Sequence, residues 1–229
     1  SDIIEILDRS HKVPFFIKLF FNLVSLSFSK NQKKTGRTND LSSTIQNLGT
    51  TFIKLGQFLA TRPDIIGEEL TKNLEQLQDK LPPFSKSLAE NIIREELGEL
   101  TSKNIIELSE PVAAASIAQV HKAKINDNNT IKDVAVKVLR PNIKEIFNSE
   151  IDAIMMLAYL IEMLIPKTKR LRLIEVVFLF KEITNHEMDL RFEAAAANEY
   201  LENTKNDLGF NVPKIYWNFT SESVLTLDW

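Results

Sequence analysis

The chain has 229 residues, enough for one large domain or two small ones with a hydrophobic interior. Its 28 basic and 31 acidic residues give a net charge of −3, so bulk charge offers no argument for a nucleic acid or an anionic membrane as partner. The sequence contains no cysteine, which excludes disulfides, thiolate metal sites, iron–sulfur clusters and cysteine nucleophiles.

Glycine is scarce. The chain has six glycines, fewer than half of what the usual frequency of about 7% would give, and none lies between Gly98 and Gly209. This gap excludes a Walker loop, a dinucleotide-binding GxGxxG motif and a typical glycine-rich kinase loop from that stretch. Low glycine content and long periodic apolar runs predict a mostly helical protein with a small β element.

Residues 10–39 combine basic and aromatic side chains. They hold six lysines and arginines and no acidic residue, interleaved with phenylalanines and leucines. Such a segment, if helical, could lie on a membrane surface. The alternative is a helix packed on its own domain and followed by a solvated basic loop. The apolar run Val13–Phe28 is too short to span a bilayer and is interrupted by Lys18.

Helices are predicted up to about residue 103. The first covers Leu41–Thr61 and ends before Arg62-Pro63, because the residue preceding a proline disfavours the α region. A second is predicted over Glu68–Asp79. A third runs from Ser87 to Leu97, with Gly98 as the residue that ends it.

Strand signals begin at about residue 104. Three strands are predicted over Asn104–Leu108, Ile117–Ile125 and Asp133–Leu139, with residues 126–129 as the loop between the second and third. Helices follow over Ile143–Ile165, Leu171–Thr184 and Glu187–Asn203, and two more strands over Lys214–Phe219 and Ser223–Leu227. The sequence therefore predicts an α+β protein with a helical region over 1–103 and, over 104–229, a sheet of about five antiparallel strands with helices.

Five strands interrupted by a helix, with a lysine in the third strand, is the outline of a protein-kinase N-lobe. In Val134–Lys137 the two-residue period of a strand places Ala135 and Lys137 on one face. A small alanine leaves room for an adenine ring, and a lysine can reach the phosphates. The tetrapeptide alone is weak evidence for a nucleotide site, since it fits any half-buried strand.

A lysine in this role needs a carboxylate that holds it. Candidates lie in the run from Glu187 to Glu193. If the run is one helix, Asp189 and Glu193 share a face while Glu187 lies on another, so the helix could offer carboxylates to two partners. The alternative is a set of exposed acids on an amphipathic helix.

The stretch Pro111–His121 occupies the position of a kinase glycine-rich loop, but alanines replace the glycines. A Cβ atom disfavours positive φ and keeps the backbone farther from a phosphate than glycine would.

Together these segments resemble the UbiB family of atypical protein-kinase-like proteins. Lys54–Gln57 matches the KxGQ motif of that family, Ala113–His121 its alanine-rich loop, Val134–Lys137 its VAVK strand, Glu187–Asp189 its ExD motif and Glu193 its counterpart of the αC glutamate. The motifs appear in the family's order over about residues 45–229. The resemblance implies a helical extension, carrying the KxGQ motif, packed on a kinase-like N-lobe.

The resemblance also implies roles. Lys137 would contact the phosphates of ATP or ADP and pair with Glu193, and Lys54 would pair with Glu187, with Asp189 in the same functional set. The extension would then occlude the protein-substrate site, which makes the family ATPases rather than conventional kinases. The nucleotide would lie against Gln57, Ala113, Ala114, Ala115, Ser116, Ala118, Val120, Ala135 and Lys137.

The end of the sequence, Thr226–Trp229, resembles the hinge that leads to a kinase C-lobe. The C-lobe is expected to be absent, and with it the catalytic and Mg²⁺-binding loops, so no metal ligand is predicted here and this segment alone is not expected to hydrolyse ATP. The alternative is a truncated, non-catalytic module of ubiquinone biosynthesis that binds a lipid or a partner protein.

The expected partners are an adenine nucleotide, a lipid or quinone intermediate, other ubiquinone-biosynthesis proteins and, through 10–39, a membrane surface; no nucleic acid is expected. The expected location is the cytoplasm or the cytoplasmic side of the inner membrane. A hydroxylase is disfavoured, because the sequence has no flavin fingerprint, haem-ligand pattern or di-iron motif. The scattered histidines His11, His121 and His186 are expected to be structural or surface residues.

Overall fold

Helices and one antiparallel sheet make up the computed structural model, which describes residues 45, 46, 48–75, 77 and 81–229. The predicted α+β class is confirmed. The described residues form two compact units: the helical unit takes residues before 80 together with 147–181, and the sheet unit takes 80–146 together with 182–229. The functional division at 103/104 stays a prediction; by compactness, residues 80–103 group with the sheet and residues 147–181 with the N-terminal helices.

Three short helices begin the helical unit: α1 (Thr50–Ala60), α2 (Pro63–Ile66) and α3 (Glu68–Leu74). The predicted helix over Leu41–Thr61 is interrupted at Gly49, whose φ of 111° is not helical, so that α1 begins at Thr50. Proline at position 63 separates α1 from α2, as expected for a residue that tolerates only the first turn of a helix.

Two longer helices cross from one unit to the other: α5 (Ile143–Leu164) and α6 (Leu173–Glu187), joined by the 3₁₀ turn Pro166–Leu171. Within the helical unit, the ring of Phe180 lies 5.5 Å from that of Phe58 and 5.7 Å from that of Phe147, measured between centroids. Phe180 and Phe147 are almost fully buried, so this aromatic cluster anchors the apolar interior of the unit.

An apolar cavity of about 120 Å³ lies in the helical unit, lined by hydrophobic side chains of α1, α2, α3, α5 and α6 and by Gly56. Gly56 is buried in α1, and a Cβ atom at this position would overlap the Cδ1 atom of Leu77. A side chain at this position of the KxGQ motif would therefore require the end of the Leu77 side chain to shift.

In the sheet unit, α4 (Lys86–Ser102) precedes the strands β1 (Ile105–Ala114), β2 (Ala118–Asp127) and β3 (Thr130–Leu139), and α7 (Leu190–Thr204) precedes β4 (Val224–Asp228). The strands pair in the order β1-β2-β3-β4, all antiparallel. The β2–β3 turn is tighter than predicted. Its two residues, Asn128 and Asn129, have φ values of 51° and 65°, as a type I′ turn requires.

The predicted fifth strand over Lys214–Phe219 is reduced to a single bridge between Ile215 and Leu227. The chain then enters a 3₁₀ turn at Trp217–Phe219, and the hydroxyl of Thr226 donates to the carbonyl of Phe219 at 2.7 Å. A side chain thus satisfies a carbonyl that a continuing strand would have paired, so the described sheet has four strands.

One face of the sheet carries the core of this unit. Val134, Val136 and Val138 have no exposed surface and cluster with Ile93 of α4. Gly98, the predicted end of that helix, has φ 77° and ψ 161°, so the helical backbone is interrupted there before it resumes up to Ser102. None of the helices in the described ranges combines the length and the apolar character needed to cross a bilayer.

Candidate functional site

Strand β3 presents Ala135 and Lys137 on the face opposite the valine core. Both are half-buried, whereas Val134, Val136 and Val138 are fully buried on the other face. The alternation follows the two-residue period of a strand, as the sequence predicts. A small side chain and a cationic one therefore lie side by side on an accessible face, which we call the open face.

Lys137 forms an ion pair with Glu193 of α7. Its Nζ lies 2.6 Å from Glu193 Oε2, and the two side chains are 27% and 49% exposed. An ion pair this accessible to water contributes at most about 1 kcal/mol to folding. Its consequence is positional: the ammonium group is held over the open face and stays accessible to a ligand.

The start of α7 fixes where Glu193 lies. Asp189 caps this helix, since its Oδ1 accepts a hydrogen bond from the backbone N–H of Arg191 at 3.1 Å. Next to the cap, the N–H of Leu190 donates to the carbonyl of Glu222 at 2.9 Å, which ties the helix to the segment before β4. Glu193 therefore enters the site from the first turn of an anchored helix.

The prediction that Glu187, Asp189 and Glu193 belong to one helix is wrong. Helix α6 ends at Glu187, Met188 is almost fully buried, and α7 begins after Asp189. Aspartate is among the residues preferred at a helix N-cap, where its carboxylate satisfies an otherwise unpaired backbone N–H. Asp189 thus does not share a helical face with Glu193. Its structural role is to cap the start of the helix that carries Glu193.

A chain of charged side chains runs outward from this cap. Arg191 binds Asp189 in a two-pronged contact (2.9 and 2.7 Å) and lies 3.5 Å from Glu222, which also pairs with Lys144. The hydrogen bond from Arg191 lowers the pKa of Asp189 below its ordinary value. A carboxylate with a lowered pKa stabilises the fold above its unfolded pKa and loses that contribution as the pH falls.

The alanine-rich segment lies at the junction of β1 and β2. Ala113 and Ala114 are the last residues of β1 and Ala118 is the first of β2, so only Ala115–Ile117 form the connection, here called the alanine turn. The backbone register pairs Ala113 with Val120 and Val120 with Lys137. These three residues form one row across the sheet, and the alanine turn begins two residues beyond that row.

Arg140, which the sequence analysis did not single out, holds the alanine turn. Its Nε and Nη2 atoms donate to the carbonyl oxygen of Ala115 at 3.2 and 2.8 Å, and its backbone N–H donates to that of Ile117 at 2.8 Å. Nη2 also donates to the carbonyl of Pro82 at 3.0 Å. The sequence signal was only an arginine directly after a predicted strand, which does not specify its partners.

A second set of polar contacts, in the core, joins β2 to the segment before α4. Gln119 accepts a hydrogen bond from the N–H of Phe84 (2.9 Å) and donates to its carbonyl (3.2 Å), while its Nε2 lies 2.9 Å from His121 Nε2. His121 Nδ1 lies 2.8 Å from the carbonyl of Ser109, so a neutral ring that donates through Nδ1 satisfies every contact. Burial lowers the pKa of His121.

The remaining predicted residues lie as follows. Lys54 and Gln57 are half-buried on α1 in the helical unit, on adjacent turns, whereas Glu187 ends α6 in the sheet unit. The pairing of Lys54 with Glu187 and the approach of Gln57 to a nucleotide stay predictions. Ser116 is buried within the alanine turn. The basic aromatic segment 10–39 lies outside the described residues.

Comparisons with known proteins identify the family. The family profile described as the ABC1 atypical kinase-like domain matches residues 76–229. A protein of Marinobacter nauticus named "Probable protein kinase UbiB" is 35% identical over 218 residues, which are 95% of this chain and 39% of that protein. Its namesake in Tolumonas auensis is 34% identical over 226 residues, which are 98% of this chain and 40% of that protein.

The chain thus spans about two fifths of the length of these curated relatives. The matched residues include all four described strands, the Lys137–Glu193 pair and the alanine turn. The resemblance to the UbiB family is confirmed, and the chain belongs to the family of ABC1 atypical kinase-like domains.

Proposed function

We propose that the sheet unit forms the N-lobe half of an adenine-nucleotide site, in a UbiB-like atypical kinase that acts as an ATPase and supports ubiquinone biosynthesis. The observation that carries the proposal is the 2.6 Å ion pair between Lys137 and Glu193 on the open face of the sheet. An ammonium group held in this way can bind phosphate oxygens without first being ordered, which lowers the entropic cost of binding.

The surroundings of Lys137 suit a nucleotide. Ala135, two residues before it, is opposite Lys122 on β2 and Leu227 on β4, and Val120 and Leu225 are opposite Lys137 itself. Small and apolar side chains therefore flank Lys137 directly, and a second lysine flanks Ala135. A flat, largely apolar ring such as adenine could lie on Ala135 while its phosphates reach the ammonium group.

In this proposal Lys137 binds phosphate oxygens, Glu193 orients Lys137, and the alanine turn adjoins the phosphates. Bound Mg²⁺ would neutralise phosphate charge. Among the described residues, no three His, Cys, Asp or Glu side chains form a group that could hold a metal ion, and none is assigned to Mg²⁺. The pairing of Lys54 with Glu187, which would occlude a protein-substrate site, is part of the same proposal.

The test replaces Lys137 by alanine in the whole protein that contains this chain. Lys132→Ala is the matched control, because Lys132 is an exposed lysine on the same strand. We expect Lys137→Ala to abolish Mg-ATP hydrolysis and to weaken binding of a fluorescent ATP analogue, and we expect Lys132→Ala to change neither. Undiminished hydrolysis and binding in Lys137→Ala would overturn the proposal.

A second candidate function is the binding of a lipid or a quinone intermediate, with or without catalysis. The apolar cavity of the helical unit favours it, because its lining consists of hydrophobic side chains and one glycine. Replacing Ala158, which lines the cavity, by tryptophan should fill the space and reduce binding of a polyprenylated phenol, while ATP binding is retained. Retained binding of the phenol to that folded variant would contradict this function.

A further inference from the structure

Arg140 connects three parts of the sheet unit at one point. Its guanidinium reaches the carbonyl of Ala115 in the alanine turn and the carbonyl of Pro82 in the segment before α4, and the residue itself directly follows β3. The guanidinium carbon also lies 5.8 Å from the centre of the Phe84 ring. Residues 82–84, here called the proline segment, are thereby fastened to the turn.

The chemistry of arginine suits this position. A guanidinium is a rigid, planar fork with five N–H donors, so it can serve two carbonyl groups at fixed angles. Lysine offers a single ammonium group on a flexible stem and would hold the two carbonyls less well. Hydrogen bonds from a charged donor are also about twice as strong as those between neutral groups.

The contacts of Arg140 restrict the alanine turn, whereas the glycines of a typical kinase loop leave its backbone conformationally free. Ala115 donates its N–H to the carbonyl of Ala118 at 2.8 Å and accepts from Arg140 through its own carbonyl, and the carbonyl of Ile117 accepts from the backbone of Arg140. Both ends of the turn are therefore held by hydrogen bonds. A turn built of residues with a Cβ atom and braced in this way has fewer conformations open to it than a glycine loop has.

We propose that Arg140 is a positioning residue for nucleotide phosphates: it fixes the alanine turn beside the row that contains Lys137 and joins it to the proline segment. The inference rests on the proposed nucleotide site, and it goes beyond it by assigning the conformation of the turn to one side chain outside the predicted motifs.

The first test needs no nucleotide. In the whole protein, amide hydrogen exchange is compared between wild type, Arg140→Met and the charge-matched control Lys132→Met. We expect faster exchange in the alanine turn and at Phe84 in Arg140→Met, with unchanged exchange at the buried centre of β3, and no change in the control. Unchanged exchange in the turn, or equal acceleration throughout the sheet, would overturn the positioning role.

The second test separates phosphate contacts from contacts to the base. Binding of ATP and of adenosine is measured for wild type, Arg140→Met, Arg140→Lys and Lys132→Met. Loss of a charge-assisted hydrogen bond predicts about a tenfold weaker affinity of Arg140→Met for ATP. The affinity of Arg140→Met for adenosine should equal that of the wild type, because adenosine has no phosphate for the alanine turn to contact.

The outcomes distinguish the two proposals. Failure of the wild type to bind ATP would contradict the nucleotide site, whereas the exchange result would still decide the bracing of the turn. ATP binding by wild type with equal losses for ATP and adenosine in Arg140→Met would leave the nucleotide site standing and overturn the role of Arg140. Full ATP affinity in Arg140→Lys would also overturn it, since charge alone would then suffice.

Discussion

The two faces of the sheet are built from alternate residues of the same strands, yet they differ in chemistry. On the core face, Val134, Val136 and Val138 are fully buried. On the open face, Ala135 and Lys137 are half-buried, and Lys137 is held by a partner on a separate helix. Adjacent residues of β3 therefore serve the core on one face and the proposed ligand site on the other. A substitution on the core face should lower stability, and one on the open face should change ligand binding.

The largest effect is expected on the core face. Ile125 of β2 has no exposed surface and belongs to the valine cluster, so Ile125→Ala should lower the free energy of unfolding by about 3 kcal/mol through lost burial and a residual cavity. Urea denaturation followed by circular dichroism measures this. Lys132→Ala, an exposed position, is the control, and equal stability of the two variants would contradict the assignment of the core face.

On the open face, a substitution should change the affinity for ATP and leave the stability of the fold unchanged. Glu193→Gln removes the charge that holds Lys137, and a more mobile ammonium group predicts about a tenfold weaker affinity for ATP. Its unfolding midpoint should stay near that of the wild type, because the ion pair is accessible to water. Calorimetric titration and urea denaturation of the same samples check both statements. A stability loss as large as that of Ile125→Ala would contradict the division between the faces.

The polar part of the core face predicts a pH dependence. Burial lowers the pKa of His121 below 6.5, and the unfolded chain then binds the proton more readily than the folded one. Protonation would also bring two donors together at the Gln119 amide. Stability should therefore fall as the pH decreases below 6.5, by at most about 1.4 kcal/mol per pH unit.

Urea denaturation between about pH 7.5 and 5.5 measures this slope, a range in which histidine titrates and most carboxylates do not. His121→Gln should remove the dependence, so the test compares the slope of stability with pH and not the stability at neutral pH. An identical slope in wild type and variant would show that other groups cause it. The other charged groups that influence the ring are Glu110, Glu90 and Lys86.

The smallest effect is expected at the β2–β3 turn, beyond both faces. Asn129 has a φ of 65°, which costs an alanine roughly 1 kcal/mol. Asn129→Ala should lower the free energy of unfolding by about this amount, and Asn129→Gly should not. Thermal denaturation of the pair of variants tests the statement, and equal melting temperatures would contradict the type I′ geometry.

The sequence predicted what depends on local periodicity. The face shared by Ala135 and Lys137 follows from the alternation within one strand, and the Lys137–Glu193 contact implied by the family resemblance is present in the structure. The break between α6 and α7 escaped prediction, because a continuous helical pattern does not show that Asp189 will satisfy a backbone N–H as a cap. The partners of Arg140 depend on segments distant in sequence, which no local pattern specifies.

The fifth strand was overpredicted for a related reason. Residues 214–219 have strand-like composition, and backbone hydrogen bonds do form from Tyr216 to Thr226 (2.9 Å) and from Asp228 to Lys214 (3.0 Å). Beyond them the carbonyl of Phe219 accepts from the hydroxyl of Thr226 instead of a backbone N–H. The hydroxyl of Tyr216 also donates to Asp228 at 2.7 Å. Burial and this hydrogen bond raise the pKa of Tyr216 to about 12. Side chains thus set the end of the sheet, and strand propensity does not report such contacts.

Gly56 lies inside a sequence motif of the proposed site, but it also packs closely against Leu77, whose side chain would have to shift to make room for a Cβ atom. A β-branched residue such as valine would have to displace that side chain from a packed interior. The resulting defect would belong to folding, and lowering the growth temperature should restore the protein, as it does for temperature-sensitive alleles. A glycine that looks catalytic by its place in a motif would then behave genetically as a core residue.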